Sequence, residues 1–165
     1  MDDRFNIYVE QLRDGQVEKL EESYSPEFLD IHEKDLIFKD PVLVNGEAYL
    51  ADDMLVLHID VRTYGIIPCR ICNEPVRTEI TVQGVYHAVA IKEIKTGIFN
   101  LVELLRETLL IEVPALAECN QGKCPQRTAM KHFIKEEGAS DKDHIEEGYH
   151  PFADLKLDFD NKKLK

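Results

Sequence analysis

The chain has no run of about 18 or more apolar residues, so nothing in it reads as a transmembrane helix. Its opening, Met1-Asp2-Asp3-Arg4, lacks the basic and apolar regions of a secretory signal. These absences lead to the expectation of a cytoplasmic protein with no membrane contact. Positive charge is also scarce. Twenty Lys and Arg face 32 Asp and Glu, the net charge is -12, and no cluster of basic residues stands out. Such a balance repels a polyanion, which argues against tight direct nucleic-acid binding as the main mode. A basic protein, or a basic surface of a larger assembly, is the better expected partner.

Catalytic motifs are missing as well. There is no G-x-S-x-G, no P-loop and no G-x-G-x-x-G, so hydrolase, nucleotide and dinucleotide readings have no residues to rest on. The six histidines, His32, His58, His87, His132, His144 and His150, form neither a His-x-x-x-His nor a His-Glu-x-x-His pair. The expectation is a protein that is not an enzyme.

What is present centres on the only four cysteines, Cys69 and Cys72 in Pro-Cys-Arg-Ile-Cys, and Cys119 and Cys124 in Cys-Asn-Gln-Gly-Lys-Cys-Pro. Two loops that each supply two thiolates are the usual way to build a tetrahedral zinc site. The first pair has C-x2-C spacing, whereas the second is C-x4-C and follows after 46 residues, where a compact zinc ribbon has about 15 to 20. The distance can close. A strand over 76 to 90 travels roughly 45 to 50 Å, and a helix of a dozen residues with an extended stretch returns roughly 40 Å. A metal clip, four unrelated reduced thiols and a redox-active pair all remain open on spacing alone. A reducing compartment argues against structural disulfides.

Two catalytic versions of the first pair fit poorly. Pro68-Cys69-x-x-Cys72 matches half of a nucleobase-deaminase signature, but the nearest upstream partner is His58-Ile59-Asp60, in mid-strand and without the required Glu. A thioredoxin-type thiolate needs a helix N-terminus beneath it. Here Asn73-Glu74-Pro75 and then a strand follow. His132, near the second pair, is an alternative imidazole ligand.

Taken in order, Phe5, Ile7 and Val9 alternate with polar residues and predict a short strand closed at Asp14-Gly15. Val17, Leu20 and Tyr24 recur at helical spacing, and Ser25-Pro26 has the form of a further helix start. From Leu36 the period is that of sheets, with Asn45-Gly46 either a hairpin turn or a bulge. Met54 to Ile67 is the cleanest strand, Leu55, Leu57, Ile59 and Val61 alternating with His58, Asp60 and Arg62. A returning strand runs from Val76 to Ile91, kinked at Gly84. Asn100 to Glu112 predicts a helix with Leu101, Leu104, Leu105 and Leu109 on its apolar face, ended by Pro114. Lys135 to Gly148 carries six acidic and two basic residues with one large apolar side chain, Ile145, too little to repay ordering.

The expected architecture is α+β: an antiparallel sheet of about four to six strands, one packed C-terminal helix, a short N-terminal helical segment and a flexible acidic tail. Residues 1–134 form one domain in this reading. Residues 135–165 are an acidic linker ending in a docking segment around His150 to Leu157.

The order of C-x-x-C after a β-rich stretch, Phe99-Asn100-Leu101 opening a leucine-rich helix that ends at Ile111-Glu112-Val113-Pro114, Gly122-Lys123-Cys124-Pro125, and Pro151-Phe152-Ala153-Asp154-Leu155-Lys156 resembles one family. It is similar to the YceD-type large ribosomal RNA subunit accumulation proteins, over roughly Pro41 to Lys156. The resemblance implies a non-catalytic accessory factor for synthesis, processing or stability of large-subunit (23S) ribosomal RNA. Many members carry a further Cys-Gly where this chain has Gln126-Arg127. With the acidic charge, the combined expectation is action through a ribosomal protein or assembly factor, with indirect RNA contact. The metal ligands would be Cys69, Cys72, Cys119 and Cys124, and zinc the ion. The alternative is a zinc-stapled protein-binding adaptor unrelated to the ribosome.

Overall fold

Leu55, Leu57, Ile59 and Val61 are all essentially inaccessible to solvent, and the strand that carries them is the spine of the sheet. In the computed structural model, which describes residues 3–130, the strands are β1 (Asn6–Tyr8), β2 (Val17–Tyr24), β3 (Ile37–Phe38), β4 (Val42–Ala51), β5 (Met54–Pro68), β6 (Pro75–Ala90) and β7 (Ile98–Asn100). One regular helix, α1 (Val102–Glu112), follows them. β2 pairs with β4, β4 with β5, and β5 with β6, all antiparallel. The short β3 pairs with Gly65 and Ile66 beyond the end of β4. β1 and β7 form a separate two-stranded ribbon.

The core lies on one face of the sheet. Val42, Val44 and Ala48 of β4 and the inner row of β5 share one buried cluster with Leu101, just before α1, and with Leu105 and Leu109 of α1, whose closest strand is β6. A fully buried leucine contributes about 1.5–3 kcal/mol, so this row is what holds the helix to the sheet. The N-terminal residues close the core with Phe5 stacked on Tyr24, ring centroids 4.1 Å apart, and Phe28 tilted against Phe5. Asn100 fixes the start of α1. Its Oδ1 accepts the Val102 amide at 3.0 Å, and its Nδ2 donates to Asn6 Oδ1 at 2.9 Å. Val113 is extended, as the residue before a proline must be, and the helix stops there.

Two local readings are corrected by the structure. Val17, Leu20 and Tyr24 do not form a helix, because Val17 to Tyr24 is the edge strand β2. The alternation is hidden because glutamates, Glu18 and Glu22, share the inward face with Leu20 and Tyr24. Asn45-Gly46 is neither a turn nor a bulge. β4 passes straight through it, and glycine is needed because a Cβ on Gly46 would lie 2.2 Å from the His58 carbonyl oxygen. The expected kink at Gly84 is present. Gln83 and Gly84 together face Asp60, Gly84 has φ +65°, and its amide donates to Asp60 Oδ1 at 2.7 Å.

Short 3-10 turns, Val9–Gly15 and Pro26–Leu29, supply the N-terminal helical content, the second with Pro26 in its first turn. Among the described residues no helix is long and apolar enough to cross a membrane. The expected end of the domain at 134, the acidic linker and the His150 to Leu157 segment lie outside the described residues.

Candidate metal centre

Each cysteine pair is placed by a loop too short to relax far. At the tip of the β5–β6 hairpin, the Cys69 amide donates to the Glu74 carbonyl at 2.8 Å, and the Asn73 amide donates to the Cys69 carbonyl at 2.8 Å. Asn73 takes φ +60°, a conformation asparagine tolerates better than most residues, and this folds Cys72 back beside Cys69. After α1, the chain runs alongside this tip. Cys69 and Ala117 form a parallel bridge, and the Arg70 amide donates to the Ala117 carbonyl at 2.9 Å.

The second loop is turned more sharply. Asn120, Gln121 and Gly122 are consecutively left-handed, with φ of 51°, 54° and 86°. The Lys123 amide closes this turn on the Asn120 carbonyl at 3.1 Å. Left-handed non-glycine residues cost on the order of 1–3 kcal/mol each and persist where the surroundings over-determine them. Here the turn reverses the chain so that Cys124 meets Cys119.

Glu118 braces the turn from within. Its Oε1 accepts the Cys124 amide at 3.0 Å and Arg127 Nε at 3.1 Å, while its Oε2 pairs with Arg127 Nη2. The Arg127 guanidinium first, and the Cys124 amide second, pull the Glu118 carboxyl down to a pKa of about 2. Sequence reasoning missed Glu118. Its only signal is an acid next to Cys119 with an arginine shortly after Cys124.

The four sulfurs converge. All four Sγ atoms lie within 4.8 Å of one another, and Cys72 and Cys119 are 3.7 Å apart. Four thiolates about 2.3 Å from one zinc ion have tetrahedral edges of about 3.8 Å, a spacing that Cys72 and Cys119 already match and that the other pairs exceed by no more than about 1 Å. These are not the spacings of disulfides, whose sulfurs are about 2.05 Å apart, and all four thiols are free.

The electrostatics also favour anionic sulfur. Cys69 Sγ accepts the Cys119 amide at 3.4 Å, and the amides of Cys72 and Ile71 are also directed at it. These dipoles, the Cys119 amide foremost, lower the Cys69 thiol to about 6. Cys119 moves the other way, pushed up first by the Cys124 sulfur and then by burial. At Cys72 the Glu74 amide pulls down, but burial and the Cys69 sulfur outweigh it and the thiol is raised. Without a cation the cluster therefore ionises readily at Cys69 and resists ionisation at Cys72 and Cys119. A divalent ion that displaces the protons removes that conflict.

All four cysteines singled out in the sequence are thus brought together and could hold a metal ion. With four protein sulfurs around one ion no coordination position stays open for substrate. The histidines in the described part lie elsewhere. His58 is in mid-strand between Glu47 and Tyr86, His87 packs on Phe99 at 5.8 Å, and His32 pairs with Asp30. The His58-Ile59-Asp60 segment therefore contributes nothing to the sulfur site, and His132 lies outside the described residues. Comparison with family models, with curated proteins and with solved structures finds no match.

Proposed function

We propose that this protein is a non-enzymatic accessory factor in the synthesis, processing or stability of large-subunit ribosomal RNA. In this reading it is stapled by zinc at Cys69, Cys72, Cys119 and Cys124. The observation that carries the structural half is the convergence of four thiols to within 4.8 Å of one another. Soft thiolate ligands select zinc or an iron-sulfur centre over hard cations, and zinc needs no redox partner to stay bound. Its role would be to hold two loops in place. Cys69, the thiol that ionises most readily, is buried, unlike the partly exposed thiolates of redox sites, while Cys72 and Cys119 are half-buried.

The ribosomal half rests on the resemblance of feature order, from the C-x-x-C loop through α1 to Gly122-Lys123-Cys124-Pro125. In the cytoplasmic setting expected for the chain, the net charge of -12 supports action through a basic ribosomal protein or assembly factor, since the chain as a whole repels RNA.

Two measurements test the halves separately. Purified protein should contain one zinc per chain, and Cys69→Ser with Cys72→Ser should abolish it. Cells lacking the protein should show a selective fall in the ratio of large- to small-subunit ribosomal RNA. An unchanged ratio, in cells without a redundant relative, leaves the zinc-stapled adaptor unrelated to the ribosome. Tight binding of purified protein to ribosomal RNA fragments, with a steep loss as salt rises, would remove the indirect mode.

A further inference from the structure

Cys124 is gripped at both of its backbone groups. Its amide donates to Glu118 Oε1 at 3.0 Å, and its carbonyl accepts the Arg127 amide at 3.0 Å. The Arg127 side chain then returns to Glu118, donating from Nε to Oε1 at 3.1 Å and from Nη2 to Oε2. Carboxylate, amide, carbonyl and guanidinium thus close a ring around one of the four cysteines.

Glu118 is an unfavourable neighbour for thiolates. It stands directly before Cys119, and its side chain is only 11% exposed, so water screens its charge little. A fixed negative charge opposes the formation of others close by. Loading a divalent ion forms them, because the thiols give up their protons and the ion with four thiolates keeps a net charge of about -2. Arg127 offsets this conflict. Its guanidinium pairs with Glu118, and the same cation is raised above the ordinary arginine value by Glu118 foremost and then by the Cys124 and Cys69 sulfurs. Arg70 adds a weaker pull on the Glu118 carboxylate.

We propose that Arg127 is the counter-charge of the loaded metal site and that Glu118 is the residue that positions it, so that the pair sets how firmly the four cysteines retain an ion. The inference rests on the zinc reading of the cluster and goes beyond it by giving the two residues separable roles. Glu118 acts through hydrogen bonds, to the Cys124 amide and to the guanidinium. Arg127 acts through charge. The difference predicts an asymmetry that bracing of the loop alone does not. Glu118→Gln keeps an oxygen that accepts the Cys124 amide and keeps a cation beside the sulfurs. Arg127→Ala leaves a little-screened carboxylate, offset only weakly by Arg70, against a cluster of the same sign. Losing the cation is therefore worse than losing the anion it pairs with, and losing both is better than losing the cation alone.

The test is competition for zinc between the full chain and a chromogenic chelator at neutral pH, with the absorption of the cobalt-loaded protein reporting whether four sulfurs still surround the ion. Glu118→Gln should weaken retention by about ten-fold or less and Arg127→Ala by about 100-fold, the span over which residues behind metal ligands act. The double variant, Glu118→Gln with Arg127→Ala, should regain part of what Arg127→Ala loses. Arg127→Lys keeps the charge and loses the two-pronged fit, and should stay within about ten-fold of wild type. The cobalt spectrum should keep its thiolate bands in all four. Equal losses in Glu118→Gln and Arg127→Ala, or a double variant weaker than either, would reduce the pair to a brace of the loop and overturn the inference. So would an Arg127→Lys as weak as Arg127→Ala. A wild type that holds no zinc removes the metal reading and the inference together, whereas a zinc-loaded wild type with the wrong order of variants overturns the inference alone.

Discussion

The body of the sheet and the cysteine end of the same hairpin are held by different physics. Around the middle of β5 the buried residues are large and apolar, and Leu55, Leu57, Ile59 and Val61 share one cluster with Leu101, Leu105 and Leu109. In the loops 68–75 and 114–127 the buried residues are Cys69, Ala117 and Cys124 alone. Hydrophobic stabilisation scales with apolar area removed from water, so these loops have too little of it to fix their own conformation. The left-handed turn at Asn120 to Gly122 adds a local cost. The body can fold on burial. The cysteine end needs another source of order, which a metal ion held by the four converging sulfurs would supply.

If an ion is held there and this division holds, removing it should produce the largest and most local change. Chelation, or Cys69→Ser with Cys72→Ser, should abolish amide-exchange protection at Arg70, Asn73 and Lys123, whose hydrogen bonds shape the two loops. Protection in β4 and the middle of β5 should persist. Loss of protection throughout the sheet would show instead that the two regions fold as one unit. The reciprocal change is Leu105→Ala. It deletes a fully buried side chain beneath the helix and should cost about 2–5 kcal/mol in denaturant unfolding, with metal content unchanged. A smaller loss, from steric overlap and from a backbone φ of +156° that alanine adopts poorly, is expected at Gly46→Ala. The added Cβ meets the backbone of β5, which cannot swing aside, and about 1–3 kcal/mol is expected by the same measurement.

The body and the cysteine end also differ in how they could be read. β5 is legible because it is buried on one face and wet on the other, which imposes a strict period of two. α1 is legible because Leu101, Leu105 and Leu109 meet a flat sheet at a helical repeat. β2 misled because its inward face alternates leucine and tyrosine with glutamate, so Val17, Leu20 and Tyr24 mimic helical spacing while Val17 is in fact 52% exposed. At the cysteine end, the C-x-x-C loop is a local signal. The convergence of Cys119 and Cys124 on it is not, since it depends on α1 returning along the sheet to bring Ala117 beside Cys69. Glu118 was invisible for the same reason, because its role exists only once the turn places Arg127 and the Cys124 amide around it. The β1–β7 pairing, between residues 90 to 94 positions apart, likewise has no local signature.

The smallest expected effect lies where the body approaches the cysteine end. Asp40 receives both Arg77 Nε and Nη2 at 3.1 Å, and the same guanidinium lies 3.5 Å from the centroid of the Tyr64 ring. The hydrogen bonds from Arg77 hold the Asp40 carboxyl below its ordinary pKa. A carboxylate lowered in the folded state contributes stability above its unfolded value of about 3.9, and that contribution fades as pH falls through the lower folded value. The pair is solvent-exposed and screened, so the contribution is slight. Asp40→Asn should therefore lower the melting temperature a little at neutral pH, and the gap from wild type should close on acidification. A gap that instead widens at low pH would mean that Asp40 is better tolerated protonated than charged, and would contradict a clamp formed by Arg77. A large gap at neutral pH would show that this ion pair, and not burial alone, holds the junction between the two regions.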